Sequence, residues 1–501
     1  MSIRTDHLHA DLPRRSVRSG AVVLVAQAAT IVIGIASVAI LGRLLTPGDF
    51  GIVAIAAAFV AFITTFADHG LPQSIVQRED INNSQVSSLF WLNVVGGILA
   101  AIIGAAIAWP VAAWFARPEL TGVILVLSTS LIITGLGAPH LALLQRQLRF
   151  RTHATIGVVA NLLGVIAATI AAIVGWGYWA LVVMTVTMAI VRTLGGWFFS
   201  NWRPSRPAIA AGIGPMVRFG GYLIGTSLVG SIARQTDRVL IGYWLGNAAA
   251  GFYSAATRLI LIPATQLNAP LTSVAIPVLS RLQDDHERFR EFYRRGVEVI
   301  VLALCPFVLV AMVAAGHIVP LALGSQWGDS VPIFRALAPA ALVACTRVVT
   351  SWVYVPLGRT DRQFRWQVFR AGLTVGAYFA GLPWGAVGVA AAYSIMSILI
   401  RIPAVLYSLH GTFVQLGDVI SATWRIGVAS LVAGLAGIPV AMSLHESSSH
   451  FLACVLITVV VFSAYVITFA LTPGGWGRLL ALREVIRHLY PRSSQHDQPG
   501  T

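Results

Sequence analysis

The sequence predicts an all-α polytopic membrane protein of about fourteen transmembrane helices. Three observations predict it. Of the 501 residues, 57% are hydrophobic and only 11% are charged. An ordinary soluble protein is ~45–50% apolar and ~25% charged, so the charged surface that a soluble chain of this length needs is missing. Apolar runs near the ~20 residues needed to span a bilayer recur from one end of the chain to the other. The arginines then alternate sides from loop to loop.

The crossings are expected near 21–41, 50–68, 88–109, 120–139, 155–174, 178–199, 219–245, 249–268, 297–315, 331–357, 367–382, 386–408, 420–442 and 450–472. The first is too long for the apolar core of a cleaved signal peptide and reads as an uncleaved anchor. The run 249–280 is interrupted by Pro263, Pro270 and Pro277, so a break is expected there. Between the first two crossings, Thr46-Pro47-Gly48-Asp49 reads as a helix start. Thr46 can cap, Pro47 suits the first helical position, and Asp49 complements the helix dipole.

All 34 basic residues are arginine, and lysine is absent. That excludes a P-loop, a Schiff-base lysine and a kinase-type ATP lysine. With this topology, 24 arginines fall in one set of alternate loops, against Arg43 and Arg117 in the other. Basic loops stay on the cytoplasmic side. Both termini are therefore expected in the cytoplasm, with the protein in the cytoplasmic (inner) membrane. Most of the net charge of +15 is a topology signal. No basic patch is interleaved with aromatics in a soluble domain, so nucleic acid is not an expected partner.

A faint repeat runs at an offset of 200. Gly42, Leu45 and Gly51 in LGRLLTPGDFG match Gly242, Leu245 and Gly251 in IGYWLGNAAAG, and Gly20 matches Gly220. Six crossings lie between the copies, which gives both the same membrane orientation. Two parallel six-helix lobes related by an axis along the membrane normal would follow. The expected organisation is a basic N-terminus (1–20), an N-lobe (21–199), a linker (200–218), a C-lobe (219–408), two further crossings (420–472) and a polar tail (475–501). Two amphipathic helices are expected outside the bilayer. One is 281–295, with pairs Asp284–Arg288 and Glu291–Arg295 at i,i+4. The other is 479–489, suited to the inner-leaflet interface.

The arginines inside crossings bear most on function. Arg192, Arg335, Arg401 and Arg425 can snorkel to a headgroup layer. Arg234, Arg238, Arg258 and Arg347 cannot do so easily, and a charge at the bilayer centre costs at least ~2.5–3.5 kcal/mol. Arg234 lies ~21 Å along its helix from Gly220, and Arg258 ~14 Å from the other end of its own, at ~1.5 Å per residue. Both reach the middle of the ~30 Å core. Ser227 and Ser231 share the stripe of Arg234 and Arg238, Gln27 and Thr30 form one in the first crossing, and Thr350, Ser351 and Tyr354 accompany Arg347. Asp237 is positioned to neutralise part of this charge, but one carboxylate cannot balance three cations. A cationic central cavity is expected, suited to an anionic headgroup because arginine forks match phosphate. The expected substrate-binding residues are thus Arg234, Arg238, Arg258, Arg347, Gln27, Thr30 and Ser231. Asp237 and Asp68 are the expected ion-coupling carboxylates, although a boundary role also fits Asp68.

No hydrolytic or metal motif occurs, and Cys305, Cys345 and Cys454 read as small core residues. No catalytic residue, metal or cofactor is expected. Any energy source is then an ion gradient, the membrane potential or the substrate gradient.

Several stretches carry a family resemblance: GRLLTPGDFG (42–51), FADHGLPQSIVQR (66–78), SSLFWLNVVGG (87–97), ALLQRQLRFR (142–151), GWGYWALV (175–182), DRVLIGYWLG (237–246), VAIPVLSRLQDD (274–285), LGSQW (323–327), GRTDR (358–362) and GLPWGAVGVAAAY (381–393). As an ordered set they resemble polysaccharide exporters of the MOP superfamily, in the branch of lipid-linked oligosaccharide flippases. The resemblance implies two six-helix lobes around a central cavity and alternating access by their rocking. It implies an undecaprenyl-(pyro)phosphate-linked oligosaccharide as substrate, for exopolysaccharide or O-antigen-type synthesis. A polysaccharide polymerase and glycosyltransferases are the implied partners, beside membrane lipids. Related precursor flippases hold the pyrophosphate with arginines from the first helices of both lobes. Here the first lobe offers only polar groups such as Gln27 and Thr30. An ion-coupled multidrug exporter and a membrane glycosyltransferase or polymerase are the alternatives. The first should favour acidic cavity residues, and the second needs a loop large enough to form a domain.

Overall fold

The computed structural model describes residues 12–67, 71–77, 81–206, 214–266, 268–444 and 449–479. Nineteen α-helices account for nearly all of them. They form two compact units. One comprises 1–263, 319–340 and 361–400, the other 264–318, 341–360 and 401–501.

The first unit begins with α1 (Leu12–Leu44) and α2 (Pro47–Ala67). The turn between them is closed as its residues predict. Asp49 N–H donates to Thr46 Oγ1 at 3.2 Å, and Thr46 N–H donates to the Asp49 carboxylate at 2.9 Å. Pro47 is the first helical residue, where its missing N–H costs nothing. After the short α3 (Leu71–Gln77), the helices α4 (Asn83–Trp114) and α5 (Glu119–Arg146) pack closely together. Small residues permit that approach: a methyl on Gly97 would lie 2.8 Å from the Leu131 carbonyl oxygen. Asn82 and Gln85 form a reciprocal capping box at the start of α4. The helices α6 (Phe150–Ile173) and α7 (Trp179–Phe199) pair in turn, α6 on α1 and α7 on α5.

The expected linker begins as a strap. Ser205 N–H donates to Ser87 Oγ at 3.0 Å, Trp91 Nε1 to the Ser205 carbonyl at 2.9 Å, and Trp202 Nε1 to Asn83 Oδ1 at 2.6 Å. The unit continues with α8 (Gly214–Leu245) and α9 (Asn247–Gln266). The helix α8 packs against α2. The compact units therefore do not follow the expected lobe boundaries, because α8 and most of α9 cluster with the N-lobe helices. The first unit also contains α15 (Thr360–Gly381) and α16 (Gly385–Leu399). The chain reverses between them, since the rings of Tyr378 and Tyr393 are 5.7 Å apart.

The second unit contains α10 (Asn268–Arg281), α11 (His286–Val313), α14 (Val348–Tyr354), α17 (Arg401–Leu409), α18 (Leu416–Ser443) and α19 (His450–Leu471). The helices α11, α18 and α19 pack on one another. The remaining helices, α12 (Ala315–Leu323) and α13 (Ser330–Cys345), run from one unit into the other. The expected break near Pro263 and Pro270 is the division between α9 and α10. Two helical passes are broken where the sequence showed continuous apolar runs: α13 from α14 at Thr346–Arg347, and α16 from α17 at Ile400. Arg401 Nη2 donates to the Thr346 carbonyl at 2.6 Å, which also accepts Val349 N–H at 3.1 Å, so this arginine is bonded at the junction of α13 and α14.

Eleven segments among the described residues are long and apolar enough to cross a membrane. One of them, Thr360–Leu409, contains the reversal and so holds two of the expected crossings. The helices α8 and α9 coincide with two more of the expected crossings. The helices are broadly consistent with the expected fourteen crossings.

The segment 281–295 is corrected. It is no separate helix: from His286 it is the first three turns of α11, capped by Asp285, whose side chain accepts from Arg288 N–H at 3.1 Å. Arg288 pairs with Asp285 at 3.4 Å, whereas the Glu291–Arg295 pair forms as expected. The cap wins because Asp285 precedes the first helical residue and meets the free N–H groups there. The second amphipathic segment, 479–489, lies outside the described residues except for Leu479.

Candidate functional site: a charged helix face in the first unit

One of the expected arginines, Arg238, lies beside a buried carboxylate. Asp237 is 5% exposed although it lies on a membrane helix. Its Oδ1 accepts the Arg238 backbone N–H at 2.7 Å, and the Tyr253 hydroxyl on α9 hydrogen-bonds the same carboxylate. Tyr378 of α15 is an electrostatic neighbour of Asp237, as are Tyr253 and Tyr393 of each other. Both Tyr253 and Tyr378 are buried. Buried polar groups need partners, and the Tyr253 hydroxyl supplies one to Asp237.

The arginines are not spent on Asp237. The Arg238 guanidinium turns to Gln235, with Nη1 to Oε1 at 2.7 Å, and its Nε is buried without a hydrogen-bond partner. Arg258 of α9 is an electrostatic neighbour of Arg238. Arg238 thus lies between Asp237 on its own helix and Arg258 on α9. Arg234, one turn earlier on α8, is exposed. The helices α8 and α9 thus carry three of the expected arginines, Arg234, Arg238 and Arg258, and one carboxylate, Asp237.

The other expected residues are dispersed. Ser231 is buried, and its hydroxyl points toward the Ala61 carbonyl of α2 at 3.5 Å. It faces a helix contact there. Thr30 bonds its own helix, with Oγ1 to the Ala26 carbonyl at 2.9 Å, and Gln27 is half-buried on the same helix. Arg347 belongs to the second unit, where it is exposed at the break before α14. Asp68 lies outside the described residues.

Two features escaped sequence reasoning. The tyrosines around Asp237 look like ordinary core aromatics in sequence, and only packing brings them to the carboxylate. Glu298 is buried within α11 and pairs with Arg478 beyond α19. It sits after the charged run 284–295, so it reads as the end of a solvated segment.

These features define a polytopic helical membrane protein with a buried carboxylate and arginines on α8 and α9. Among the described residues, no group of three or more His, Cys, Asp or Glu side chains is placed to hold a metal ion. The chain belongs to the polysaccharide biosynthesis protein family, which it matches over residues 40–332. It is 25% identical to the lipopolysaccharide biosynthesis protein WzxC of Escherichia coli (strain K12) over 413 residues, covering 80% of this chain and 82% of WzxC. It is 27% identical to the succinoglycan biosynthesis transport protein ExoT of Rhizobium meliloti (strain 1021) over 347 residues, 69% of this chain and 70% of ExoT. Its fold resembles that of the lipid II flippase MurJ in an inward closed conformation, with a TM-score of 0.72 at 16% identity over 93% of this chain and 99% of MurJ. An inward-facing multidrug resistance MATE family transporter of the MOP superfamily follows at a TM-score of 0.54 and 16% identity, over 78% of this chain and 93% of the transporter. At these identities the structural likeness is one of fold.

Proposed function

We propose that this multi-pass membrane protein is a flippase for a lipid-linked oligosaccharide, and not an enzyme. The observation that carries the reading is the set of three arginines, Arg234, Arg238 and Arg258, against the one carboxylate, Asp237, on α8 and α9. A fixed cationic face inside a membrane protein favours an anionic headgroup, because the desolvated guanidinium fork recovers its lost hydration by bidentate bonds to phosphate. Membership of a polysaccharide biosynthesis family, and relatives named for lipopolysaccharide and succinoglycan synthesis, supply the saccharide.

In this reading the substrate is an undecaprenyl-(pyro)phosphate-linked oligosaccharide. It moves from the inner to the outer leaflet of the cytoplasmic membrane by alternating access, and both termini are cytoplasmic. Arg234, Arg238 and Arg258 bind the phosphates, with Gln27, Thr30 and Ser231 contributing polar contacts. Asp237 is the ion-coupling carboxylate, and Asp68 a second candidate. A polysaccharide polymerase and glycosyltransferases act beside it. A drug exporter is disfavoured because a cationic face repels cationic drugs.

The test is headgroup translocation in proteoliposomes, with and without an ion gradient. Arg234→Ala or Arg258→Ala should abolish polymer export while the protein remains in the membrane. Normal export by both variants would overturn the proposed site.

A further inference from the structure

Asp237 and Arg238 are neighbours in sequence and opposite in charge, yet each side chain is bonded to a neutral group. The carboxylate accepts the Arg238 backbone N–H at 2.7 Å and the Tyr253 hydroxyl. The guanidinium donates from Nη1 to Gln235 Oε1 at 2.7 Å. The ion pairs among the described residues lie elsewhere, at Asp285, Glu291, Asp418 and Glu298.

Successive residues on a helix do not face each other, so the two charges leave α8 about 100° apart. The arginine stem has many rotamers, and a guanidinium and a carboxylate attract strongly in a low-dielectric interior. The angle alone therefore does not keep them apart. Gln235 lies one turn before Arg238, at the spacing that brings side chains together. Its amide oxygen is a neutral acceptor. It bonds the guanidinium and leaves the positive charge uncancelled. Tyr253, 1% exposed, bonds the carboxylate from α9 in the same neutral way. Arg238 also stands beside the charge of Arg258. Pairing with Asp237 would cancel one of these two cations, whereas the bond to Gln235 leaves both. Gln235, Arg238 and Arg258 are half-buried, so part of each is open to a ligand.

We propose that Gln235 is a positioning residue of the anion site: it holds the Arg238 guanidinium off Asp237, while Tyr253 holds the carboxylate. Arg238 and Arg258 then meet the headgroup as two uncancelled charges. This role rests on the flippase reading above.

The experiment uses the full chain in nanodiscs, with calorimetric titration of farnesyl diphosphate and of farnesol, and thermal unfolding of each variant. Wild type should bind the diphosphate more tightly than the alcohol. Gln235→Leu keeps the size of the side chain and removes its acceptor. Arg238 then turns to Asp237, and farnesyl diphosphate should weaken about tenfold, as the loss of one charge-assisted hydrogen bond implies. Tyr253→Phe should act in the same direction, although Tyr253 is too deeply buried to touch the ligand. In an Asp237→Asn background neither substitution should change binding by more than about threefold, because Arg238 has no anion to turn to. Gln235→Glu replaces the neutral acceptor with an anion of the same shape. It should also weaken binding about tenfold, while the melting temperature holds or rises with the new ion pair. A purely structural Gln235 would give the same loss in both backgrounds and a lower melting temperature in Gln235→Glu. Either result overturns the proposal, as does wild-type binding by Gln235→Leu, and all three leave the flippase reading intact. If Gln235→Leu yields no folded protein, Gln235→Glu and Tyr253→Phe carry the test. Equal binding of farnesyl diphosphate and farnesol by wild type would overturn both.

Discussion

Gly51 and Gly251, two hundred positions apart, make the same contact with each other's helix. A methyl on Gly51 would overlap the Asn247 carbonyl, and a methyl on Gly251 would overlap the Pro47 carbonyl. Asn247 is itself two hundred positions from Pro47, and both open their helices. The contact is therefore reciprocal, as a two-fold axis between α2 and α9 requires. The weak repeat in the sequence is maintained at the point where its two copies touch. Beside it, Gln326 Nε2 and Trp327 Nε1 both donate to the Gly42 carbonyl at 2.7 Å, and Gln326 reaches the Leu45 carbonyl at 3.1 Å. Arg43 returns a bond to the Leu321 carbonyl at 2.7 Å. This end of the first unit is a knot of backbone acceptors.

Gly51→Ala and Gly251→Ala should each destabilise the protein by about 1–3 kcal/mol, because the methyl meets backbone that cannot move aside. The ~1 kcal/mol that alanine gains in helix propensity reduces this loss without cancelling it. The double variant should cost less than the two singles together, since they share one contact. Gly34→Ala, where nothing lies within 4 Å, should be neutral or stabilising. Thermal unfolding in detergent measures all four.

Trp327 is completely buried and stands edge-on to Phe50 and Phe252, at 5.1 Å and 5.9 Å. Trp327→Phe keeps most of that packing and loses one of the two bonds to the Gly42 carbonyl, which Gln326 still supplies, so it should cost about 0.5–1.5 kcal/mol. Trp327→Ala should cost about 3–5 kcal/mol through the cavity. The order of the two melting temperatures is the test, and equal values would discount the packing term.

In the second unit, Arg290 straddles Asp418 with bonds of 2.8 Å and 3.1 Å and reaches Gln415 at 3.3 Å. Asp418 is 5% exposed, while the Arg290 side chain is 36% exposed. Breaking a fully buried pair costs about 3–5 kcal/mol. With Arg290 partly screened by solvent, Asp418→Asn should cost less, about 1–2 kcal/mol. High salt should narrow the gap from wild type, measured by the same melts.

Asp237→Asn preserves size and most hydrogen bonds but removes the charge. If the carboxylate couples transport to an ion, headgroup flipping in proteoliposomes should lose its response to an imposed gradient while diphosphate-lipid binding stays within about threefold of wild type, under ~0.7 kcal/mol. A full gradient response in the variant would remove Asp237 from coupling.

Losing Arg258 should weaken diphosphate-lipid binding about tenfold or more, from one charge-assisted bond of ~1.5–3 kcal/mol. Arg258→Lys should recover part of it, because a lysine keeps the charge but not the planar fork. Binding and polymer export should fall together across this pair.

Much of this was legible in sequence because it depends on composition and short spacing. Fifty-seven per cent hydrophobic content, the arginine asymmetry and the Thr46–Asp49 cap are local properties, and the structure carries the helices and the cap where those properties put them. The excess of arginine over Asp237 is a matter of counting, and so it was legible too. The partners of each charge were not. Asp237 bonds Tyr253, and Gln367 approaches Gly230, only because other helices come beside α8. Such contacts depend on which helix faces touch, and periodicity along one helix cannot specify its neighbour. For the same reason Arg401 reads as a headgroup anchor in sequence and serves as a donor at the junction of α13 and α14 in the fold. The sequence by itself determined a helical membrane protein and the number of charges it must accommodate. The tertiary structure alone decided which of those charges meet, because inside an apolar medium each buried polar group must find its partner across a helix contact.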